Sequence, residues 1–157
     1  MYNDIMDDVT IRIIIQIILS AFLGLVVGLE REYKKKPAGM RTYALVALGA
    51  TLFTILSVEG FAEFSGGELF DPSRVAAQVV VGIGFLGAGL IFVDRGSVQG
   101  LTTAAGLWAT AAMGMAVGLQ FYTVAIVSTV LILLILWAVR KAESRIGVPK
   151  ATIDSYE

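Results

Sequence analysis

Neither cysteine nor histidine occurs in these 157 residues. Their absence removes disulfides, thiolate and imidazole metal ligands, Cys–His and Ser–His nucleophile pairs, and the usual near-neutral pH switch. Any bound metal would be a hard cation held by oxygen. Charge is also scarce: 16% of residues are charged and the net charge is −1, so no bulk basic field draws nucleic acid. From Gly96 to Val139 there is no charged residue at all. Read as one helix, residues 101–139 would run about 58 Å, nearly twice the roughly 30 Å hydrocarbon core of a bilayer. The segment must turn, and Gly118-Leu119-Gln120 is the place for it.

What is present is apolar. The chain is 57% hydrophobic with a mean hydropathy of +0.80, more than a soluble core of this size can hide. The N-terminus is acidic, so the first apolar run reads as a retained membrane helix rather than a cleaved leader. Five apolar segments stand out, at about 9–29, 42–58, 73–93, 101–117 and 120–139. Backbone groups in lipid must be satisfied internally, and runs such as Ile13-Ile14-Ile15 lack the alternation of a barrel strand. The pattern predicts an all-α membrane protein, a five-transmembrane-helix bundle in one domain over residues 1–157, with no C-terminal soluble domain.

Lys and Arg divide ten against two between the connections on the two sides of such a bundle. Arg31, Lys34–Lys36, Arg41, Arg95 and the tail face Arg12 and Arg74. The bias predicts an N-out/C-in orientation. Arg12, in the first turn, can snorkel to the outer interface. The 59–71 loop, with Glu59, Glu63, Glu68 and Asp71, reads as an acidic solvated connection. Asp71-Pro72 reads as a helix start, with Asp71 at the N-cap and able to pair with Arg74.

The halves of the chain echo each other. Phe22-Leu23-Gly24 returns as Phe85-Leu86-Gly87, Glu30-Arg31 as Asp94-Arg95, and the start Gly39-Met40-Arg41-Thr42 as Gly100-Leu101-Thr102-Thr103. This predicts a parallel internal repeat of helix hairpins 1–2 and 3–4. The two acid–arginine pairs would then face each other as one polar patch. Gly82-Ile83-Gly84-Phe85-Leu86-Gly87 matches the dinucleotide G-x-G-x-x-G pattern in letters only. It lies inside an apolar helix, with no strand before it. Gly24, Gly28, Gly82, Gly84, Gly87, Gly89, Gly106 and Gly114 are therefore read as helix-packing positions. Small residues recur at spacings of four, as in Gly84 and Ala88, and some of these stripes serve a second subunit in this reading.

Polar residues deep in the spans are few, and none is ionisable. Among them Gln78 asks for an interhelical hydrogen bond or a hydrated cavity. Glu30 and Arg41 sit at helix ends, as clamps or as a binding site. Arg31, Arg41 and Arg95 could together grip a phosphate or a lipid headgroup.

These blocks resemble the MgtC/SapB family of bacterial membrane proteins. The resemblance is carried by Gly28-Leu29-Glu30-Arg31-Glu32, Pro37-Ala38-Gly39-Met40-Arg41-Thr42, Asp71-Pro72-Ser73-Arg74 with Gln78, Gly82 to Gly89, and Gly100-Leu101-Thr102-Thr103 with Leu107-Trp108. It implies a multi-pass protein of the bacterial cytoplasmic (inner) membrane. It ties the chain to magnesium homeostasis or to adaptation to acid and low magnesium, by regulation of other membrane proteins. The alternative is a small oligomeric cation channel or transporter for Mg2+. The better-studied branch carries a soluble domain that this chain is expected to lack. That branch also tends to have Asn where Thr102 stands and Cys where Ala109 stands, so virulence is not carried over. The expected polar cluster is Glu30, Arg31, Arg41, Thr42, Asp71, Arg74, Gln78, Asp94, Arg95, Thr102 and Thr103. No cofactor is expected, with Mg2+ association left open. The expected partners are membrane lipid, a second copy of the chain (a dimer favoured) and other membrane proteins, and not nucleic acid. With no groups for an acid–base or nucleophilic site, the chain is not expected to be an enzyme.

Overall fold

The computed structural model describes residues 2–60, 71–94 and 96–146. Glu63, Glu68, Arg95 and Lys150 lie outside the described residues. Five helices follow in order: α1 (Tyr2–Tyr33), α2 (Met40–Val58), α3 (Ser73–Ala88), α4 (Leu101–Gly118) and α5 (Tyr122–Ile146). A two-stranded antiparallel hairpin, β1 (Phe92–Asp94) and β2 (Ser97–Gln99), joins α3 to α4 with Val93 opposite Val98.

Two sharp turns come from ordinary helix-end chemistry. At the end of α1, Lys35 takes φ 56° while the Lys35 amide donates to the Glu32 carbonyl and the Lys36 amide to that of Arg31. At the end of α4, Gln120 takes φ 65° while its amide donates to Val117 and that of Phe121 to Ala116. Both are Schellman closures, which satisfy carbonyls that a helix end leaves open. The second places the turn where the uncharged 101–139 segment requires one.

The core is a layer of α1, α2 and α4, with α3 and α5 packed on the outside of α4. Small residues let the three inner helices touch. A Cβ at Gly24 would lie 2.6 Å from the Tyr43 carbonyl oxygen, and one at Gly28 would lie 2.6 Å from the Met40 Cα. At Gly114 it would collide with the Ala47 carbonyl oxygen. Around these contacts Val27, Tyr43, Leu107 and Met113 are fully buried.

Five membrane crossings are not what the structure has. Among the described residues, three helical segments are long and apolar enough to cross: Asp8–Tyr33, Met40–Val58 and Leu101–Gly118. The other two apolar stretches, Ser73–Ala88 and Tyr122–Ala138, are shorter. The expected third helix over 73–93 stops at Ala88, because the chain turns at Gly89-Leu90 and enters the hairpin. A 16-residue helix rises about 24 Å, short of the roughly 30 Å core. The N-out/C-in orientation counted charges across five crossings, and it falls with them.

The expected parallel repeat fails at its junctions. Glu30 and Arg31 lie inside the last turns of α1, whereas Asp94 is exposed on β1 and Arg95 is outside the described residues. The packing differs as well. The α1–α2 pair is in direct backbone contact, but a Cβ at Gly87 of α3 would meet Ala104 at an ordinary 3.5 Å. The facing acid–arginine patch is therefore not built.

Candidate functional site

The polar side chains gather in three places. The first is the interior of the α1–α2–α4 layer. Gln16 is buried, and its amide donates at 2.9 Å to both the Val117 and Gly118 carbonyls. Thr51 donates at 2.7 Å to the Gly114 carbonyl across the helix pair. Thr54 and Thr110 donate to the carbonyls four residues back, Ala50 and Gly106. A buried hydroxyl or amide is costly without a partner, and here each uses a helix backbone for it.

The second place is the end of the bundle where α1 stops and α2 and α4 begin. Arg31 is only 2% exposed, and its Nε lies 2.5 Å from Glu30 Oε2. Glu30 Oε1 is buried with no hydrogen-bond partner. Tyr43 is fully buried within electrostatic reach of both charges. Its hydroxyl donates at 3.3 Å to the Thr103 carbonyl, while Thr103 Oγ1 is itself buried and unpartnered. Gly106 makes room for the Tyr43 ring, since a Cβ there would stand 2.5 Å from the phenol oxygen. Across the 34–39 turn, Glu32 accepts from the Met40 amide at 3.0 Å and ties α1 to the start of α2. Of the expected cluster, then, Glu30, Arg31 and Thr103 come together. Tyr43 links them and was not among the expected residues; its position 12 residues after Arg31 gave no signal of its own.

The third place is a cavity of about 790 Å³ between α2 and α3, floored by Ala111 of α4. Arg41, Thr42, Arg74 and Gln78 line it together with apolar side chains. Gln78 is exposed there and takes no part in the interior that its depth in the chain implied. The remaining expected residues are dispersed. Asp71 stands one residue before the N-cap of α3, which is Pro72 and not the expected Asp71; it accepts from the Ser73 amide at 3.0 Å and the Ser73 hydroxyl at 2.6 Å, with Arg74 at 3.8 Å. Ser73, not the expected Pro72, is the first helical residue, so the Asp71 carboxylate reaches past Pro72 to it. The Ser73 hydroxyl, then its amide, hold the Asp71 carboxyl below its ordinary value, and Arg74 adds to this. Asp94 is exposed on the hairpin, and Thr102 is half-buried in the first turn of α4.

Arg31 turns into the bundle and Arg41 lies outside it, so the structure does not assemble an anion grip from Arg31 and Arg41. Among the glycines expected to pack helices, Gly24, Gly28, Gly106 and Gly114 meet a neighbouring helix closely. Gly87 meets α4 loosely, Gly89 faces only its own helix end, and Gly82 and Gly84 face open space. Arg12 does not simply snorkel: it pairs with Glu59 at the end of α2, at 2.7 Å. Among the described residues no group of three or more carboxylates could hold a metal ion.

The MgtC family model matches residues 17–145. YhiD of Escherichia coli K12, provisionally named a magnesium transporter, is 46% identical over 129 residues, covering 81% of this chain and 60% of that protein. An uncharacterised protein of Haemophilus influenzae Rd is 42% identical over 142 residues, covering 83% of this chain and 60% of its own length. Protein MgtC of Salmonella typhimurium LT2 is 40% identical over 134 residues, covering 85% of this chain and 55% of that protein. The chain thus spans little more than half the length of the curated relatives it matches. No solved structure matches it. The match carries with it a multi-pass place in the inner membrane, in keeping with the three crossing helices. With the family pattern running through all five helices, the chain belongs to the MgtC family.

Proposed function

We propose that this chain serves magnesium homeostasis by regulating other membrane proteins through helix contacts, and that it does not conduct ions itself. One observation carries the reading: the polar groups at the centre of the bundle are spent on the bundle. Gln16, Thr51, Thr54 and Thr110 each donate to a helix carbonyl, and glycines close the space between α1, α2 and α4. A cation path needs oxygens free to replace water around the ion. Such a path would be favoured by a polar cavity around Gln78 and Thr110 opening toward Glu30. Gln78 instead faces the outer groove, and Thr110 is bonded to Gly106.

The contact surface in this reading is the outward face of α3. Val81 and Phe85 are 68% and 81% exposed, and Gly84 and Ala88 beside them form a small-residue stripe. A Cβ at Gly84 meets nothing within 4 Å, so none of the described residues uses that close approach. Stripes of this kind seat a neighbouring helix, whether from a regulated protein or from a second copy in a homodimer.

The test is complementation. In a bacterium deleted for its own family member, the chain is expected to restore growth at low magnesium. Gly84→Leu, which has room to fold, is expected to lose that growth at an unchanged protein level. Full growth with Gly84→Leu would remove the α3 face from the account.

A further inference from the structure

The groove between α2 and α3 has a shape and charge of its own. It runs from Arg41 and Thr42 at one end to Phe53 and Arg74 at the other. Twelve helical residues separate Arg41 from Phe53, a length of about 18 Å. One leaflet of the hydrocarbon core is about 15 Å deep, half of the roughly 30 Å total. The groove is therefore long enough for one acyl chain. Its walls are mainly aliphatic and aromatic, and no carboxylate lines it. Arg74 is partly engaged by Asp71, whereas Arg41 is exposed and has no ion pair among the described residues.

From this we infer that the α2–α3 groove is a binding site for one anionic phospholipid, with an acyl chain along Gly49 and Gly82 and the phosphate at Arg41. Charge favours a lipid over a helix: an apolar helix brings no anion to Arg41, whereas a phospholipid brings a phosphate together with an acyl chain for the apolar walls. The guanidinium offers the paired donors that a phosphate accepts, and the neighbouring Thr42 also lines the groove. The two glycines set the width: a Cβ at Gly49 or at Gly82 meets nothing within 4 Å. A leucine at either position would thus occupy the groove without displacing a helix. The site is distinct from the proposed regulatory contact, since Val81, Gly84, Phe85 and Ala88 are not among the residues that line the groove.

Native mass spectrometry of the delipidated full chain in detergent tests this, with palmitoyl-oleoyl phosphatidylglycerol and the matching phosphatidylethanolamine as probes. The expected result is one phosphatidylglycerol retained per chain, at concentrations about tenfold below those needed for phosphatidylethanolamine. Arg41→Gln is expected to erase that preference while leaving weak binding of both lipids. Gly82→Leu is expected to reduce binding of both, with unchanged helix content by circular dichroism. Equal retention of the two lipids by the unaltered chain would overturn the headgroup assignment. Retention by Gly82→Leu at the unaltered level would overturn the groove. The chain has no cysteine of its own, so Gly82→Cys gives a clean check on occupancy. Efficient chain-to-chain disulfide formation there would assign the groove to a second copy and overturn the lipid.

Discussion

Gln16 shows what a single polar side chain contributes within this bundle. Its amide donates to two carbonyls at the C-terminal end of α4, that of Gly118 and that of Val117, which also accepts from the Gln120 amide. Gln16→Leu keeps the bulk and loses both bonds. It is expected to lower stability by about 1 kcal/mol, the scale of interhelical hydrogen bonds in membrane proteins. Reversible unfolding in mixed micelles measures the loss, and an unchanged midpoint would show that the bonds contribute nothing net. That the spans held a few uncharged polar residues was legible in the sequence. Which of them faced inward was not. Gln78 and Gln16 look alike as letters in apolar runs, and only the packing of α1 on α4 decides that Gln16 is buried and Gln78 lines a groove. Glu30 and Arg31 were legible because charge at the end of an apolar run is conspicuous. Tyr43 was not, because a tyrosine in an apolar helix carries no such contrast.

Helix ends carry the predictions at the scale of the element. Gln120 holds a left-handed conformation that costs a non-glycine residue about 1–2 kcal/mol. Gln120→Gly removes that cost at the α4–α5 turn, and is expected to raise stability by about 1 kcal/mol after the added flexibility of glycine in the unfolded chain is deducted. Thermal unfolding of the variant beside the unaltered chain checks it. At the start of α3, the Asp71 carboxyl is stabilised as the anion by Ser73, so its value in the folded chain lies below the ordinary 3.8. The sign follows from linkage: the Asp71–Ser73 contact contributes above the ordinary aspartate value and is lost as pH falls through the lowered one. Amide exchange at Ser73 and Arg74 is expected to stay slow from neutral pH down to about 3.8, after correction for intrinsic rates, and to rise only below it. Loss of protection already near pH 5 would contradict this.

Turn chemistry explains which boundaries could be read. The break at 118–120 was forced by length, and α2 and α4 begin close to where their apolar runs do. The 92–99 hairpin was not foreseen. Asp94-Arg95 drew attention as a charged helix end, while Gly96, at φ 84°, is the residue that lets the chain reverse.

For the whole molecule, membership of the MgtC family was legible in ordered blocks along the chain, whereas the number of crossings was not. Hydropathy marks apolar segments alike, but crossing also requires unbroken helical length, and α3 gives this up to the hairpin. At the centre of the resulting α1–α2–α4 layer, Gln16, Thr51, Thr54 and Thr110 are bonded to helix carbonyls and the helices are in contact, which is the basis for proposing regulation rather than conduction. Magnesium flux into sealed liposomes holding the purified, folded chain tests that claim most directly, with Glu30→Gln and Arg41→Gln as companions. The account predicts uptake no faster than in empty liposomes for all three proteins. Uptake by the unaltered chain that either substitution abolishes would contradict it, and would make the bundle a conduit.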